Sequence, residues 1–412
     1  MKKTILISLI TMVIISSKAQ EIQGLVNSTY SGLTGKVINP GSIADSRYYL
    51  DINILTTDIF YQTDMQNNAY GSFRLNGPSA MLNAGKHAFC IYDAARCAIS
   101  FKKNDVVSTP TNKKGIYAYK IAGLAWGEIG LSYAYIFRTE DKDMWSVGLS
   151  LNYLAGAGGA FYTNNTNSFV LNNSFSDNVS NMNFNTGGGT GKGMGVDLGV
   201  VYQKKHRQVS LQTYPNLCRQ RYQEYDYKLG VSLIDIGFIK LSKNAQKTNI
   251  NGNYSDYLNG ADSSLNYIYS DSDSYYSTSS NTDNNFSMYL PAALSIQYDY
   301  HYYRNWYFNG TFIQGLNLAK YCVRRPTMIA FTPRFEKRWF EVNLPLSTSD
   351  LKYFRLGLAL RLWNFSIGTD NLLGSFGIGA NKSFNAYAAI KINFTKGRCG
   401  KKHFWSNLNP LK

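Results

Sequence analysis

Beyond its first twenty residues the chain lacks any apolar run of the roughly 20 residues a transmembrane helix needs. Proline is scarce, with 9 in 412 residues, and only 17% of residues are charged, where ordinary soluble domains carry about 25%. Cysteine offers no metal-binding pattern: Cys90, Cys97, Cys218, Cys322 and Cys399 are odd in number and contain no CxxC pair, which argues against a structural zinc site. Cys90 and Cys97 fall on one extended segment, too far apart along it to be bridged. The four histidines, His87, His206, His301 and His403, are scattered. His301 shares a strand face with Ser295 and Gln297 but lies several residues away, so it reads as a polar interior residue and not as half of a Ser–His pair. The glycine-rich stretch from Thr186 to Gly191 lacks the Gly-Lys-Ser/Thr ending of a phosphate loop. The Asp/Ser run from Ser270 to Tyr276 reads as a solvated loop before it reads as a Ca²⁺ site. No catalytic, cofactor-binding or metal-binding residue is expected.

What is abundant points elsewhere. Aromatic residues reach 15%, with 32 Tyr, a mixture that suits β-structure whose aromatic rings sit between oil and water. Alternation is strict over windows of about ten residues. Trp145, Val147, Leu149, Leu151 and Tyr153 are separated by Ser146, Gly148, Ser150 and Asn152. Phe354, Leu356, Leu358, Leu360 and Leu362 alternate with Arg355, Gly357, Ala359 and Arg361. A period of two puts one set on each face of a strand, and strands of about 9–11 residues span a bilayer. Fourteen such windows are read near 47–61, 71–84, 87–100, 126–138, 143–155, 194–204, 225–240, 288–302, 305–318, 326–336, 338–346, 352–362, 363–370 and 384–394.

Their connections sort by parity. Those around 62–70, 101–125, 156–193, 241–287, 319–325, 347–351 and 371–383 fall on one side and include the longest. Those near 85–86, 139–142, 303–304 and 337 are tight, as periplasmic turns are in outer-membrane barrels. One connection, 205–224, is long on the short side, and a hidden strand pair there would change the count by two. The expected fold is therefore all-β: a transmembrane antiparallel barrel of about 14 strands over 47–394, with an N-terminal periplasmic or plug segment at 20–46.

Lys2 and Lys3 followed by the mainly apolar Ile5 to Ile15 and then Ser17-Lys18-Ala19 read as a signal peptide over 1–19. Removing its three lysines takes the formal charge from +16 to +13. Much of that surplus lies in a basic tail, 395–412, expected on the periplasmic side and able to touch anionic head groups. Outer-membrane lipids are the expected surroundings; nucleic acid is the wrong partner for an exported chain with no recognition fold. On the interior face the alternation places Asp51, Asp197, Lys228, Asp299, Arg334, Glu336, Arg355, Arg361 and Lys391. Both signs together favour a filled lumen or narrow passage over an open charge-selective pore.

The block from Tyr30-Ser31-Gly32-Leu33 through Asn39-Pro40-Gly41-Ser42-Ile43-Ala44-Asp45-Ser46-Arg47-Tyr48 resembles the opening of an uncharacterised outer-membrane barrel family of Bacteroidota, known only as a domain of unknown function. Gly77-Pro78-Ser79, the run from Tyr227 to Gly237, Leu290-Pro291-Ala292, Leu344-Pro345-Leu346 and the run from Gly368 to Leu373 are similar to its later blocks. The resemblance implies a signal peptide and a barrel, and no activity. A looser likeness is to barrels that partner the type IX secretion machinery. Two functions are expected: a channel or transporter for small or hydrophobic solutes, or a non-conducting barrel that docks a secretion-system or cell-surface partner. Neither is an enzyme.

Overall fold

The computed structural model describes residues 22–395 apart from 64–67, 108–115, 140–142, 166–168, 172–173, 177–180, 206–224, 243–245, 253–275, 282–285, 350–352 and 376–381. The expected leader and nearly all of the basic tail lie outside the described residues.

Fourteen antiparallel strands form the wall among these residues. They are β1 (Leu50–Thr63), β2 (Asn68–Asn76 continued by Ser79–Ala84), β3 (His87–Val107), β4 (Ile116–Thr139), β5 (Asp143–Asn165), β6 (Asn181–Lys205) and β7 (Tyr225–Leu241). They continue with β8 (Phe286–Tyr289 and Ala293–Tyr303), β9 (Trp306–Gly315), β10 (Met328–Glu336), β11 (Phe340–Asn343 and Leu346–Ser349), β12 (Tyr353–Leu356 and Leu358–Leu362), β13 (Phe365–Thr369) and β14 (Lys382–Phe394). Each strand pairs with the next, and β1 pairs with β14 from Leu50↔Phe394 to Thr63↔Lys382. Closure removes every free edge from the wall, as a spanning sheet requires, because lipid offers no hydrogen-bond partners. Among the described residues no helix is long and apolar enough to cross a membrane; the strands make the crossing.

The alternation that defines the strands becomes two surfaces. Leu149, Leu151, Leu356 and Leu362 face outward and exposed, while Ser146, Ser150, Arg355 and Arg361 are buried inside. Tyr302, Tyr303, Trp306, Trp339 and Trp363 are exposed at the end of the short turns, and Trp339 and Trp363 pack edge to face at 5.0 Å. That is the aromatic girdle of a membrane interface.

The wall breaks at the Pro- and Gly-containing blocks: Gly77-Pro78 in β2, Leu290-Pro291-Ala292 in β8, Leu344-Pro345 in β11 and Gly357 in β12. Proline cannot donate to a ladder, and at each break a neighbouring group takes over. Leu290 N–H donates to Gly237 O at 3.0 Å, and Gly357 N–H to Pro345 O at 2.7 Å.

Three expectations about connections are corrected. The segment 101–125 is mostly strand, because β3 runs to Val107 and β4 starts at Ile116. Both ends of 156–193 likewise belong to β5 and β6. Within 241–287, Gln246–Gly252 pairs with Tyr276–Asn281 as a further ribbon. β6 pairs directly with β7 from Lys205↔Tyr225 to Gly191↔Leu241, so no strand stands between them in the wall; residues 206–224 of the long connection lie outside the described residues.

Candidate functional site: a lumen closed from both ends

Residues 22–49 cannot make wall, since glycine, Pro40 and short polar residues give them no strand period. They fold instead into a four-residue helix, Gln23–Val26, and two 3₁₀ turns, Gly32–Val37 and Pro40–Asp45, nearly all buried. Gly32 takes a φ of 53°, and a side chain there would also meet the Asp51 carboxylate. Asn39 caps the second turn, its side chain accepting from Gly41 N–H at 2.9 Å, and Pro40 sits where no donor is needed. The segment is a plug.

Polar bonds hold it at the end of the barrel where β1 begins and β14 ends. Ser28 donates to Glu341 at 2.7 Å, Thr29 N–H to Glu336 at 3.2 Å and Leu33 N–H to Asp51 at 2.7 Å, while Lys391 donates to Ser31 O at 2.7 Å. These carboxylates are neutralised within the wall. Arg334 pairs with Asp299 at 2.9 Å and Glu336 at 2.7 Å, and Arg361 pairs with Glu341 at 2.9 Å. Six of the nine expected interior residues (Asp51, Asp299, Arg334, Glu336, Arg361 and Lys391) thus gather around residues 28–33. Asp197 stands higher, 3.7 Å from Lys36 of the plug. Burial pulls the Lys36 ammonium down from the usual lysine range, with Asp197 the largest opposing influence. Arg355 lies apart, bonded to Gln62 and Ser349. Lys228 is half-buried beside a small polar cavity lined also by Gln297, Asn309 and the plug.

Midway along the lumen the plug rests on glycines. Gly148 of β5, Gly199 of β6 and Gly230 of β7 lie on neighbouring strands, and a Cβ on any of them would collide with the Asn39-Pro40-Gly41 turn. Ser146 donates to Gly41 O at 3.0 Å, and Asn39 donates to Val200 O at 3.2 Å and Gln297 at 3.0 Å. Apolar contacts complete the seat: Tyr30, Leu33, Ile43 and Tyr48 join Met81, Cys90, Ile136 and Met144 in one cluster.

The far half of the lumen is different. Phe60, Trp126, Leu154, Phe161, Ile239, Leu241, Phe286 and Met288 point inward and form a dry cluster. Glycines in β5 and β6 make room: a Cβ on Gly156, Gly159 or Gly191 would strike Ile239 or Leu241. The connection 319–325, expected outside, also lies here. Val323 is buried in the cluster, Tyr321 meets Phe161 edge to face at 4.9 Å, and Tyr289 N–H donates to Tyr321 O. Apolar residues in a loop that faces an apolar chamber are more stable inside than in water.

Between plug and loop sits an ion cluster outside the nine expected interior residues. Arg96 pairs with Asp235 at 2.6 Å and Glu128 at 3.1 Å, and Arg325 of the inward loop pairs with Asp235 at 2.7 Å. Strand parity could have found Arg96 and Glu128, since each falls on the face opposite the exposed Ile91, Ile99, Ile129 and Leu131. Arg325 had no such signal, lying in a connection.

No cluster able to hold a metal ion occurs among the described residues. His301 bonds Arg304 O at 2.8 Å at the rim, while Ser295 and Gln297 bond each other. Cys90, Cys97 and Cys322 are free thiols. The cavities around the plug measure about 30, 10 and 10 Å³, room for single waters and not for a solute.

A closed antiparallel barrel with an apolar outer belt and a polar, occupied interior defines a membrane-spanning β-barrel protein. The chain belongs to a family of unknown function, DUF5723, which matches residues 42–370. No curated protein matches the sequence. Among solved structures it is similar to the toluene transporter TbuX of Ralstonia pickettii, with 11% identity, 89% of this chain and 94% of that one covered, and a TM-score of 0.44. It is also similar to the toluene transporter TodX of Pseudomonas putida, with 9% identity, coverages of 91% and 93%, and a TM-score of 0.39.

Proposed function

We propose that the protein is an outer-membrane channel, exported by residues 1–19, whose N-terminal segment closes the passage to a small solute with apolar character. The carrying observation is the two-level lumen. Fourteen strands enclose more space than their own side chains fill, and the remainder is taken by a terminal segment tied largely through reversible polar bonds. Beyond it lies an apolar side-chain cluster, packed against the 319–325 loop, that would line the way for a hydrophobic body once that loop lifts. A purely structural barrel has no need of a separate stopper. Planar-bilayer recording of the purified protein, with and without residues 22–46, tests the reading. Concentration-dependent currents that grow on deletion are expected. Silence of both forms, in barrels that still migrate as folded species in cold detergent, overturns it.

One observation favours docking. Strands β3 to β6 have 21, 24, 23 and 25 residues, about twice what a bilayer requires. They therefore continue as a sheet beyond the wall on one side of the barrel. Such a platform suits a cell-surface or type IX secretion partner, and a silent but stable barrel would support it.

A further inference from the structure

Two separate pieces of chain close this lumen, and both reach the same residue. Asp235 lies at a bulge in β7, where the register with β6 shifts between Leu233 and Ile236. Its φ of 57° is a left-handed conformation that Asp and Asn tolerate better than other side chains. There it faces three ways. Its carboxylate accepts from Arg96 of the wall at 2.6 and 2.9 Å and from Arg325 of the inward loop at 2.7 Å. Its backbone N–H donates to Asp197 Oδ1 at 2.7 Å. The other Asp197 oxygen is held by Asn152 at 3.3 Å and by Lys36 of the plug at 3.7 Å. The path from loop to plug is therefore Arg325, Asp235, Asp197, Lys36, with every carboxylate buried.

We propose that Asp235 is a positioning residue that joins the inward loop and the N-terminal plug into one closure, so that releasing either loosens the other. The physical basis is compensation of charge. Lifting the loop takes Arg325 from Asp235 and leaves Arg96 as its remaining cation among the bonds above, which draws the carboxylate toward β3. The Asp235 peptide moves with it, and its N–H leaves Asp197. Asp197 then loses one of the bonds that aim it at Lys36. Withdrawing Lys36 acts in reverse, because coupling between two sites is reciprocal. The inference deepens the channel reading, since a solute crossing the apolar half of the lumen would have to displace the loop first; the coupling itself needs no solute to be measured.

The chain carries its own reporters. Cys322 lies in the inward loop and is 1% exposed, while Cys90 is 4% exposed in the cluster that includes Leu33 and Ile43 of the plug. Maleimide labelling of the folded full-length protein, read peptide by peptide by mass spectrometry, therefore follows loop and plug separately. Lys36→Met perturbs the plug, and its expected effect is at least a tenfold faster labelling of the distant Cys322. Arg325→Met perturbs the loop and should accelerate Cys90 by a comparable factor. Asp235→Asn, which keeps the left-handed backbone, should accelerate both thiols and erase the cross-effects of the other two variants. Acceleration of only the nearer thiol in Lys36→Met and Arg325→Met overturns the proposal. Those two variants suffice if Asp235→Asn does not fold, as judged by cold-detergent migration. A barrel silent in bilayers with coupled thiols would sink the channel and keep the coupling; a conducting barrel with uncoupled thiols would do the opposite.

Discussion

Gly148→Val should unseat the plug while leaving the wall intact. Gly148 points inward from β5, and an added Cβ would overlap the Pro40 carbonyl and the Gly41 nitrogen. The wall cannot retreat, because Gly148 sits in a continuous ladder between Ala134 of β4 and Gly199 of β6. The plug must therefore move. Overpacking of this kind costs about 1–3 kcal/mol. The bonds from Ser146 to Gly41 O and from Asn39 to Val200 O are lost with it, at about 1 kcal/mol each. A total of about 3–5 kcal/mol lowers the seated population more than a hundredfold relative to the unseated one. Valine is itself favoured in strands, so the barrel should fold. The assay pairs bilayer conductance with Cys90 labelling. Gly310→Val is the control, because Gly310 faces outward with its nearest neighbour, Tyr298 O, 4.0 Å from the added Cβ. A folded Gly148→Val protein with wild-type conductance and wild-type Cys90 labelling would refute the seating argument.

Four further outcomes follow from the wall. Leu358→Arg, on the lipid side near mid-membrane, should cost about 2–4 kcal/mol in urea unfolding from liposomes. Gly357→Arg, although on the interior face, should be no better tolerated, because its Cβ would strike Thr369 O and Asp370; a stability near wild type would show that this break in the wall is loose. Arg334→Met strands the buried Asp299 and Glu336 and should cost about 3–5 kcal/mol, seen as loss of the cold-detergent folded band at lower temperature. An epitope inserted between residues 253 and 275 should be visible on intact cells and one after Lys412 should not; labelling of the C-terminal tag would reverse the orientation.

The wall was legible in the sequence because one physical demand, lipid on one face and not on the other, writes a period of two into every strand. All fourteen windows correspond to strands. Where the demand ends, so does the signal: past the membrane β5 and β6 carry Gly156, Gly159 and Gly191 in place of alternating leucines, and those stretches read as loop. The plug has no period at all. Its 3₁₀ turns are specified by partners more than 150 residues away, as with Asn39 and Val200, and such pairings leave no local trace. The inward loop was misplaced for a related reason, since its buried surface is three residues long. The nine interior residues were reached by parity alone, and parity cannot say that Arg355 stands apart from the six around residues 28–33.

The plug is the first described part of the chain to leave the ribosome, yet Gln23 donates to Asp370 and Thr29 to Glu336, 347 and 307 residues away. None of these acceptors exists as a site until the last strands are in place. Contacts of such separation form late, because a very long loop must close before they reward it. Assembly therefore has a forced order in which the wall is completed, or nearly so, around a segment that is still unplaced. Throughout that interval the plug half of the lumen is unfilled, and Asp51, Glu336 and Glu341 wait without the backbone amides and hydroxyls that will cover them. Slowing the seating step should therefore prolong an intermediate whose wall is closed and whose interior carboxylates are uncovered.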